Sequence, residues 1–440
     1  MRSLASFLLA IAVALLLLIT PATQAQNVTV TGRVNKTDAL VRLMVYDDLL
    51  NMHQTTMAET RSNDQGFFIL EGEADRIMPA AIYVGLESAD FLVTPGAAYE
   101  VEIVIPELDP SLSYFERPQP TLRVKKASDK GRYRETVLSE TIVDDYVLAY
   151  FDQIYMRRQY RYLDSIKDAI DREVHVTDPY VLQANTYKIA SIQMALNADG
   201  GKKVIQEYYD GKPVLYECLP YMDLFKDLFK NYTLTKEFAA RNPELTEMVN
   251  IYQLRSLYYE DYQSRNWVKN QLLAIGKQNK SQNIKTMVAN TLERFDRFAQ
   301  GTEAPDFNLT DVTGNPVKLS DFKNTMVVLQ FVEGGSATVS HQFETLNELH
   351  QQWQDSVQVI TVTTKDQLPN HQRRFQERHY DWPLLNLGND ILLLERYEVR
   401  TFPEYFIILP GTKIGMAPAP SPDQTLGKHV TRLYSKKLTF

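Results

Sequence analysis

The amino-acid sequence predicts an α+β multidomain protein with an N-terminal antiparallel β-sandwich, a central helical bundle and a C-terminal α/β domain. Three observations lead to this prediction. Short stretches rich in β-branched residues recur at regular spacing over residues 28–105, which is typical of a small sandwich. Residues 133–300 repeat apolar side chains at spacings of three and four, as amphipathic helices do. Residues 301–440 alternate strand-like and helix-like segments, which favours a sheet covered by helices on both faces.

The composition limits the class of protein. The chain has 440 residues, 44% of them hydrophobic, and its formal net charge is −8. This length predicts several domains, and the apolar share is sufficient for packed cores. Because an acidic chain is poorly suited to a phosphate backbone, we expect no nucleic-acid partner.

Residues 1–25 are predicted to be a signal peptide. Arg2 precedes an apolar stretch from Phe7 to Ile19, and small residues up to Ala25 suit cleavage before Gln26. The apolar stretch is short for a membrane span, although an uncleaved anchor is the alternative. We therefore expect an exported protein of the periplasm or cell envelope, with no stable membrane span after cleavage.

The chain contains a single cysteine, Cys218, so it cannot form a disulfide within itself. Exported proteins usually meet an oxidising compartment, where paired cysteines would be expected to bond. A lone cysteine is most often a small buried hydrophobe, and this is the interpretation we favour. The alternative is a reactive or intermolecular thiol.

The predicted sandwich occupies residues 26–106. Its strongest hairpin signal is the turn between Asn63 and Gly66, which precedes the strand-like stretch 67–70. An extended, proline-rich linker is predicted over residues 107–132, because four prolines occur between positions 106 and 120. These prolines are Pro106, Pro110, Pro118 and Pro120.

Residues 133–300 are predicted to form a bundle of about five helices. Two clusters within this segment, residues 155–162 and 258–262, combine several tyrosines with charged side chains. The favoured interpretation is that the rings fill the core while the charges face water. The alternative is that the clusters form a binding face.

The strand-turn-helix at residues 326–346 is the expected site of any chemistry. An apolar stretch from Met326 to Val332 predicts a buried strand, and Gly334 and Gly335 predict a tight turn. Ser336 is then placed as the N-cap of a long helix. The first turn of a helix stabilises an anionic group, so a functional side chain is expected at this point.

Residues 301–440 resemble the thioredoxin-like domains of TlpA/ResA-type exported proteins, which are related to the AhpC/TSA peroxiredoxins. The resemblance depends on the lead-in Gly301-x-x-Ala304-Pro305-x-Phe307, on the strand-turn-helix, and on the segment 399–408 around Pro403. Residues 26–106 resemble the N-terminal domains that often precede such domains, through Gly32 and the turn Asn63-Asp64-x-Gly66-x-Phe68. The resemblance implies a spacer or partner-facing role for this N-terminal segment.

The family that the C-terminal segment resembles carries a Cys-x-x-Cys pair at the start of its active-site helix. In this chain the two positions fall on Ser336 and Val339, and the peroxiredoxin nucleophile would fall near Ser340. Disulfide exchange requires a thiolate, and a hydroxyl cannot replace it. We therefore expect the fold of the family without its redox activity.

Two other chemistries are disfavoured by the spacing of the residues. Ser340 and His341 are neighbours on a predicted helix and point about a hundred degrees apart, which disfavours a hydrolytic pair. The candidate metal ligands have no recognised ligand spacing, so we expect no metal ion and no cofactor. We expect the histidines to be solvated at the surface; the candidates are His341, His371, His379 and Glu333.

A binding groove is the remaining candidate site. Thr401-Phe402-Pro403 resembles the family's cis-proline loop, whose backbone pairs with an extended substrate segment. Gly334 and Gly335 would allow a peptide backbone to approach closely, and Phe402 would add an apolar contact. The alternative is that the groove is empty and that Pro403 only shapes a turn.

These observations together predict a non-catalytic peptide- or protein-binding or scaffold protein of the cell envelope, in other words a pseudoenzyme. The first alternative is a protein related to thiol-disulfide oxidoreductases that keeps a redox role through Cys218. A second alternative is an adaptor in carbohydrate or peptide handling that uses the sandwich and the aromatic helices.

Overall fold

The computed structural model divides the chain into two compact units. The first comprises Met1–Ile105 and Pro120–Asn290, and the second Pro106–Gln119 and Thr291–Phe440. The predicted signal peptide lies outside the described residues, apart from Ala25. The described residues are 25–85, 87–107, 119–196, 201–260, 264–335, 337–364, 366–388, 390, 392–399 and 402–437.

The first unit begins with two four-stranded sheets that share one apolar core. Their strand orders are β4-β1-β7-β8 and β3-β2-β5-β6. Strands β1 and β7 run parallel, so the sandwich is not purely antiparallel as predicted. The strands are β1 Gln26–Val34, β2 Leu40–Asp48, β3 His53–Arg61, β4 Phe67–Ala74, β5 Met78–Val84, β6 Glu87–Val93, β7 Ala98–Val104 and β8 Thr121–Ala127.

Strand β8 corrects the prediction of an extended linker over residues 107–132. Residues 121–127 pair with β7, with Val104 opposite Thr121 and Tyr99 opposite Ala127. Leu122 and Val124 alternate with charged residues and pack against the sandwich core, and this period of two is that of a strand. The prolines all precede this stretch, so they do not interrupt it; residues 108–118 lie outside the described residues.

The helical segment of the first unit is more divided than the predicted bundle of about five helices. Prolines at 213, 220 and 243 interrupt the apolar pattern and separate short helices. The rings of Tyr187, Tyr209 and Tyr221 pack together in its core at centroid distances of 4.8–5.7 Å. In the described part of this segment the α-helices are α1 Arg132–Ala149, α2 Arg161–Glu173, α3 Pro179–Leu196, α4 Lys202–Tyr208, α5 Leu219–Phe229, α6 Lys236–Arg241, α7 Pro243–Glu260, α8 Arg265–Gln278 and α9 Gln282–Arg297.

The second unit is built on a seven-stranded sheet in the order β10-β9-β13-β12-β11-β14-β15. Strands β11, β12 and β13 are parallel to one another, and the other pairings are antiparallel. The strands are β9 Asn308–Asp311, β10 Pro316–Lys318, β11 Met326–Val332, β12 Val357–Thr363, β13 Leu384–Asn386, β14 Glu404–Leu409 and β15 Lys413–Ala419. The α-helices are α10 Ala337–Trp353, α11 Leu368–Arg378, α12 Leu392–Arg396 and α13 Leu426–Lys437.

Strand β11 lies inside this sheet between β12 and β14, and all seven of its residues are buried. Val327, Leu329 and Phe331 belong to the core on the face covered by α12. Met326, Val328 and Val332 belong to the core on the opposite face, which contains residues of α10, α11 and α13. This confirms the predicted α/β sheet with both faces covered. Within the described ranges, no helix has the length and apolar character needed to cross a bilayer.

Candidate functional site

The site lies where β11 ends and α10 begins. Gly334 has a φ of 71°, a left-handed conformation that favours glycine over residues with a side chain. A Cβ at the exposed Gly335 would meet only Nη2 of Arg374, at 3.4 Å. The approach to this turn is therefore open at the backbone of Gly335. Ser336 lies outside the described residues, so its predicted N-cap role stays a prediction.

The second redox position, Val339, is a core residue. Its side chain is buried and belongs to the same apolar cluster as Phe343 and Leu346 of α10. An aliphatic side chain in this position has no lone pair or ionisable proton for disulfide exchange. Ser340 and His341 occupy the next two positions of α10, with His341 exposed.

The described part of the predicted cis-proline loop, Phe402 and Pro403, lies near this turn. The Phe402–Pro403 peptide bond is cis. Glu404, the next residue, pairs with Phe331 in the antiparallel register of β14 and β11, which brings the loop to the end of β11. The Phe402 ring is half-buried and packs against the core on the α12 face, so the ring has a structural role. Thr401 lies outside the described residues.

Polar side chains are buried at the ends of β11 and β12. Glu333 accepts a hydrogen bond of 3.0 Å from the hydroxyl of Thr364, and both residues are buried. His371 is 1% exposed and its Nε2 has no hydrogen-bond partner. Burial, together with the nearby Arg374, lowers the pKa of His371 to about 4, so its imidazole is neutral at pH 7.

Arg374 of α11 extends from this buried cluster toward the open turn. Its guanidinium lies 5.6 Å from the centroid of the Phe343 ring, in a cation–π arrangement. The Nη1 atom is buried without a hydrogen-bond partner, and burial lowers the pKa of the group. The outer nitrogen, Nη2, is the atom that approaches Gly335. The turn is therefore bordered by a cation that is only partly hydrated.

The four predicted metal-ligand candidates are not brought together. His371 is buried against Phe343, which corrects the expectation of a solvated surface histidine, whereas His341 and His379 are exposed. Among the residues that the structure describes, no three histidine, cysteine or acidic side chains are placed to hold a metal ion.

A directional network of hydrogen bonds, which no pattern in the sequence predicted, runs beneath α10. Trp382 Nε1 donates to Thr361 Oγ1 at 3.0 Å, and that hydroxyl donates to Gln330 Oε1 at 2.9 Å. Gln330 Nε2 donates to the Tyr405 hydroxyl at 3.0 Å, which donates to Gln342 Oε1 at 2.9 Å. The one available signal was a glutamine in an otherwise apolar strand.

Every side chain in this hydrogen-bond network is electrically neutral. Burial raises the pKa of Tyr405 far above its ordinary value, so its hydroxyl stays protonated. The network satisfies buried polar groups and fixes α10 against the sheet. It supplies no carboxylate that could exchange a proton beneath the helix.

Cys218 is placed in the first unit, at the start of α5, while the redox positions are in the second unit. The thiol is buried, and burial raises its pKa to about 11. A buried, protonated thiol is a poor nucleophile. This placement disfavours the alternative of a redox role through Cys218.

Comparison with known proteins identifies the C-terminal segment. Residues 300–416 match the AhpC/TSA family, which confirms the resemblance predicted for this segment. Among curated proteins, none matches the chain significantly. Similar solved structures include a putative thiol-disulfide oxidoreductase from Bacteroides vulgatus, with 20% identity and a TM-score of 0.29 over 31% of this chain and 98% of that one.

Two further structures cover the same share of the chain. The thioredoxin domain of a thiol-disulfide oxidoreductase from Bacteroides vulgatus is 26% identical, with a TM-score of 0.28, over 31% of this chain and 98% of that one. A putative thiol:disulfide interchange protein DsbE from Chlorobium tepidum is 20% identical, with a TM-score of 0.28, over 31% of this chain and 99% of that one.

Proposed function

We propose that this chain, whose residues 300–416 match the AhpC/TSA family, is a non-catalytic peptide- or protein-binding protein of the cell envelope. The observation that carries the proposal is the position of its one cysteine. Cys218 is buried in the first unit, and Val339 occupies the second redox position as a core residue. The signal-peptide pattern of residues 1–25 supports export.

The chemistry of disulfide exchange supports a binding role over a catalytic one. Exchange requires an accessible thiolate, and a dithiol cycle needs a second sulfur within bonding distance. The chain has one sulfhydryl group, and it is buried and protonated. Peroxide reduction has the same requirement for a thiolate.

The open turn supports a backbone-mediated mode of binding. In the proposed complex an extended peptide lies across Gly335 and pairs with the backbone of the cis-Pro403 loop, as an added strand would. The open space at Gly335 allows the peptide backbone to approach. The loop adjoins the end of β11 through the register of Glu404 and Phe331.

Arg374 suggests which peptides would be preferred. Its Nη2 atom reaches the open turn, so an acidic side chain of the peptide would form a charge-assisted hydrogen bond with that nitrogen. A basic peptide would be repelled by the guanidinium of Arg374. The proposed ligand is therefore an extended peptide with an acidic residue.

Two measurements on the purified full chain test this proposal. Insulin reduction and peroxide consumption should stay at background, and robust turnover that survives Cys218→Ala would overturn it. Fluorescence anisotropy with acidic and basic peptide libraries should show binding of acidic members. Arg374→Gln should weaken that binding about ten-fold, while Arg373→Gln, an exposed neighbour on the same helix, should change it little.

Gly335→Val gives an independent test of the groove. A Cβ at this position meets only the end of Arg374, so we expect the fold to tolerate the substitution while the peptide path is obstructed. Peptide binding that is unaffected by both Gly335→Val and Arg374→Gln would place the ligand elsewhere and contradict the proposal.

A further inference from the structure

Exposed apolar side chains are concentrated at the turn between α1 and α2. Of the sixteen large hydrophobic residues exposed in the described part of the chain, five lie between positions 148 and 160. Leu148 is 79% exposed, Met156 71% and Phe151 48%. The helix-turn patch, as we name it, consists of Leu148, Tyr150, Phe151, Met156, Arg157, Arg158, Tyr160 and Arg161.

The backbone of this turn is firmly held, so the exposure does not reflect an unfolded helix end. Ile154 is fully buried among residues of α1, α2 and α3. A π-helix spans Asp152–Met156 and closes with a 2.8 Å hydrogen bond from the Arg157 amide to the Asp152 carbonyl. One side of the turn therefore anchors in the core while the other side presents apolar groups to solvent.

Aromatic rings make the patch continuous. The rings of Tyr146 and Tyr150 are 4.6 Å apart, and Tyr150 is 4.9 Å from Tyr162. Phe151 packs against Tyr155 at 5.0 Å. Each tyrosine combines an apolar ring with a polar hydroxyl. Such side chains suit the boundary between water and hydrocarbon.

The charge of the patch is opposite to that of the chain. Residues 150–161 include three arginines and one aspartate, whereas the formal net charge of the protein is −8. Arg157 and Arg158 are exposed, and Arg161 stacks over the Tyr162 ring at 5.0 Å. An anionic surface would attract this turn and repel most of the remaining protein, which would orient the molecule.

We propose that the helix-turn patch binds the surface of an anionic lipid bilayer. Leu148, Phe151 and Met156 enter the headgroup boundary, and the arginines contact lipid phosphates while their stems lie along the apolar layer. The observations favour a bilayer over a protein because the exposed residues lie at the end of a helical hairpin. Such an end can enter a soft, flat interface.

Vesicle flotation of the full chain tests the proposal. The protein should float with vesicles of equal parts phosphatidylcholine and phosphatidylglycerol and stay behind with phosphatidylcholine alone. Phe151→Ser combined with Met156→Ser should lower the bound fraction about ten-fold, as should Arg157→Gln combined with Arg158→Gln. Raising the salt concentration should release the protein, because salt screens the arginine contribution.

Matched controls separate this surface from exposed apolar groups in general. Phe67→Ser combined with Ile69→Ser removes two exposed side chains of β4 and should leave flotation unchanged. Circular dichroism should show the same fold for every variant. Failure of the wild-type protein to float, or equal losses in the control, would overturn the proposal. So would light scattering that shows a dimer dissociated by the patch variants, because a second copy would then cover this surface.

Discussion

The side-chain amide of Asn290 donates a hydrogen bond of 3.2 Å to the carboxylate of Asp48, 242 positions earlier in the chain. Asp48 is buried at the end of β2, and Asn290 belongs to α9. The same carboxylate accepts a 2.6 Å hydrogen bond from Asn51, whose amide also donates to the carbonyl of Met287. Sheet and helices of the first unit are therefore joined by a satisfied polar cluster.

Replacement of Asp48 by alanine should destabilise the first unit by about 3 kcal/mol, because several buried donors would lose their acceptor. Urea denaturation followed by circular dichroism would measure the change. Asp75→Ala, which removes an exposed carboxylate beside Arg76, is the matched control and should shift the transition by less than about 0.5 kcal/mol. Equal effects of the two variants would contradict a structural role for the cluster.

The thiol of Cys218 should react with a maleimide only after denaturation, because it is buried and its pKa is raised to about 11. The unfolded thiol ionises near pH 9, while the folded thiol stays protonated to about pH 11. Stability should therefore fall as the pH rises above 9. Fast labelling of the native protein at neutral pH would be incompatible with this placement.

His371 should make the second unit sensitive to mild acid. Its folded pKa is about 4 against an ordinary value of 6.5, so the unfolded chain takes up the proton first as the pH falls. The stabilisation is fully present above pH 6.5 and declines toward pH 4, by up to about 3 kcal/mol. Thermal unfolding followed by tryptophan fluorescence would detect it. His371→Gln should flatten this profile, and an unchanged profile would refute the assignment.

Removal of the Tyr405 hydroxyl should destabilise the second unit, because Gln330 would lose an acceptor and Gln342 a donor. Tyr405→Phe is expected to cost about 2 kcal/mol in denaturant unfolding. Tyr434→Phe, at a half-buried position of α13, is the control and should cost less than about 0.5 kcal/mol. A neutral result at Tyr405 would mean that water replaces the hydroxyl.

Local patterns in the sequence predicted the central elements of the second unit well. The apolar stretch 326–332 is β11, and the segment after Gly335 contains α10. Strands β9 and β10 form a hairpin whose turn contains Gly314, a residue type typical of turns. These elements could be predicted from the sequence because each has a strong apolar periodicity or a turn residue, and both signals act over a few positions.

The remaining features depend on contacts between distant residues. The alternation in residues 121–127 was obscured by the prolines before it, and only pairing with β7 identifies β8 as a strand. The hydrogen-bond network from Trp382 to Gln342 joins residues of separate strands, a loop and a helix, so no local pattern predicts it. The burial of His371 likewise follows from packing between elements, which spacing alone does not determine, whereas a buried Cys218 is the interpretation favoured from the sequence.

The parallel pairing of β1 with β7 has a consequence for folding during synthesis on the ribosome. Thr29 leaves the ribosome early, yet its neighbour across the ladder is Ala98, and the sheet is completed only when residues 121–127 follow. Until its partner strand is synthesised, β1 exposes unpaired amides and apolar side chains. The nascent N-terminal segment should therefore depend on chaperones until its late partners arrive, and elongation pauses before position 127 should increase its aggregation.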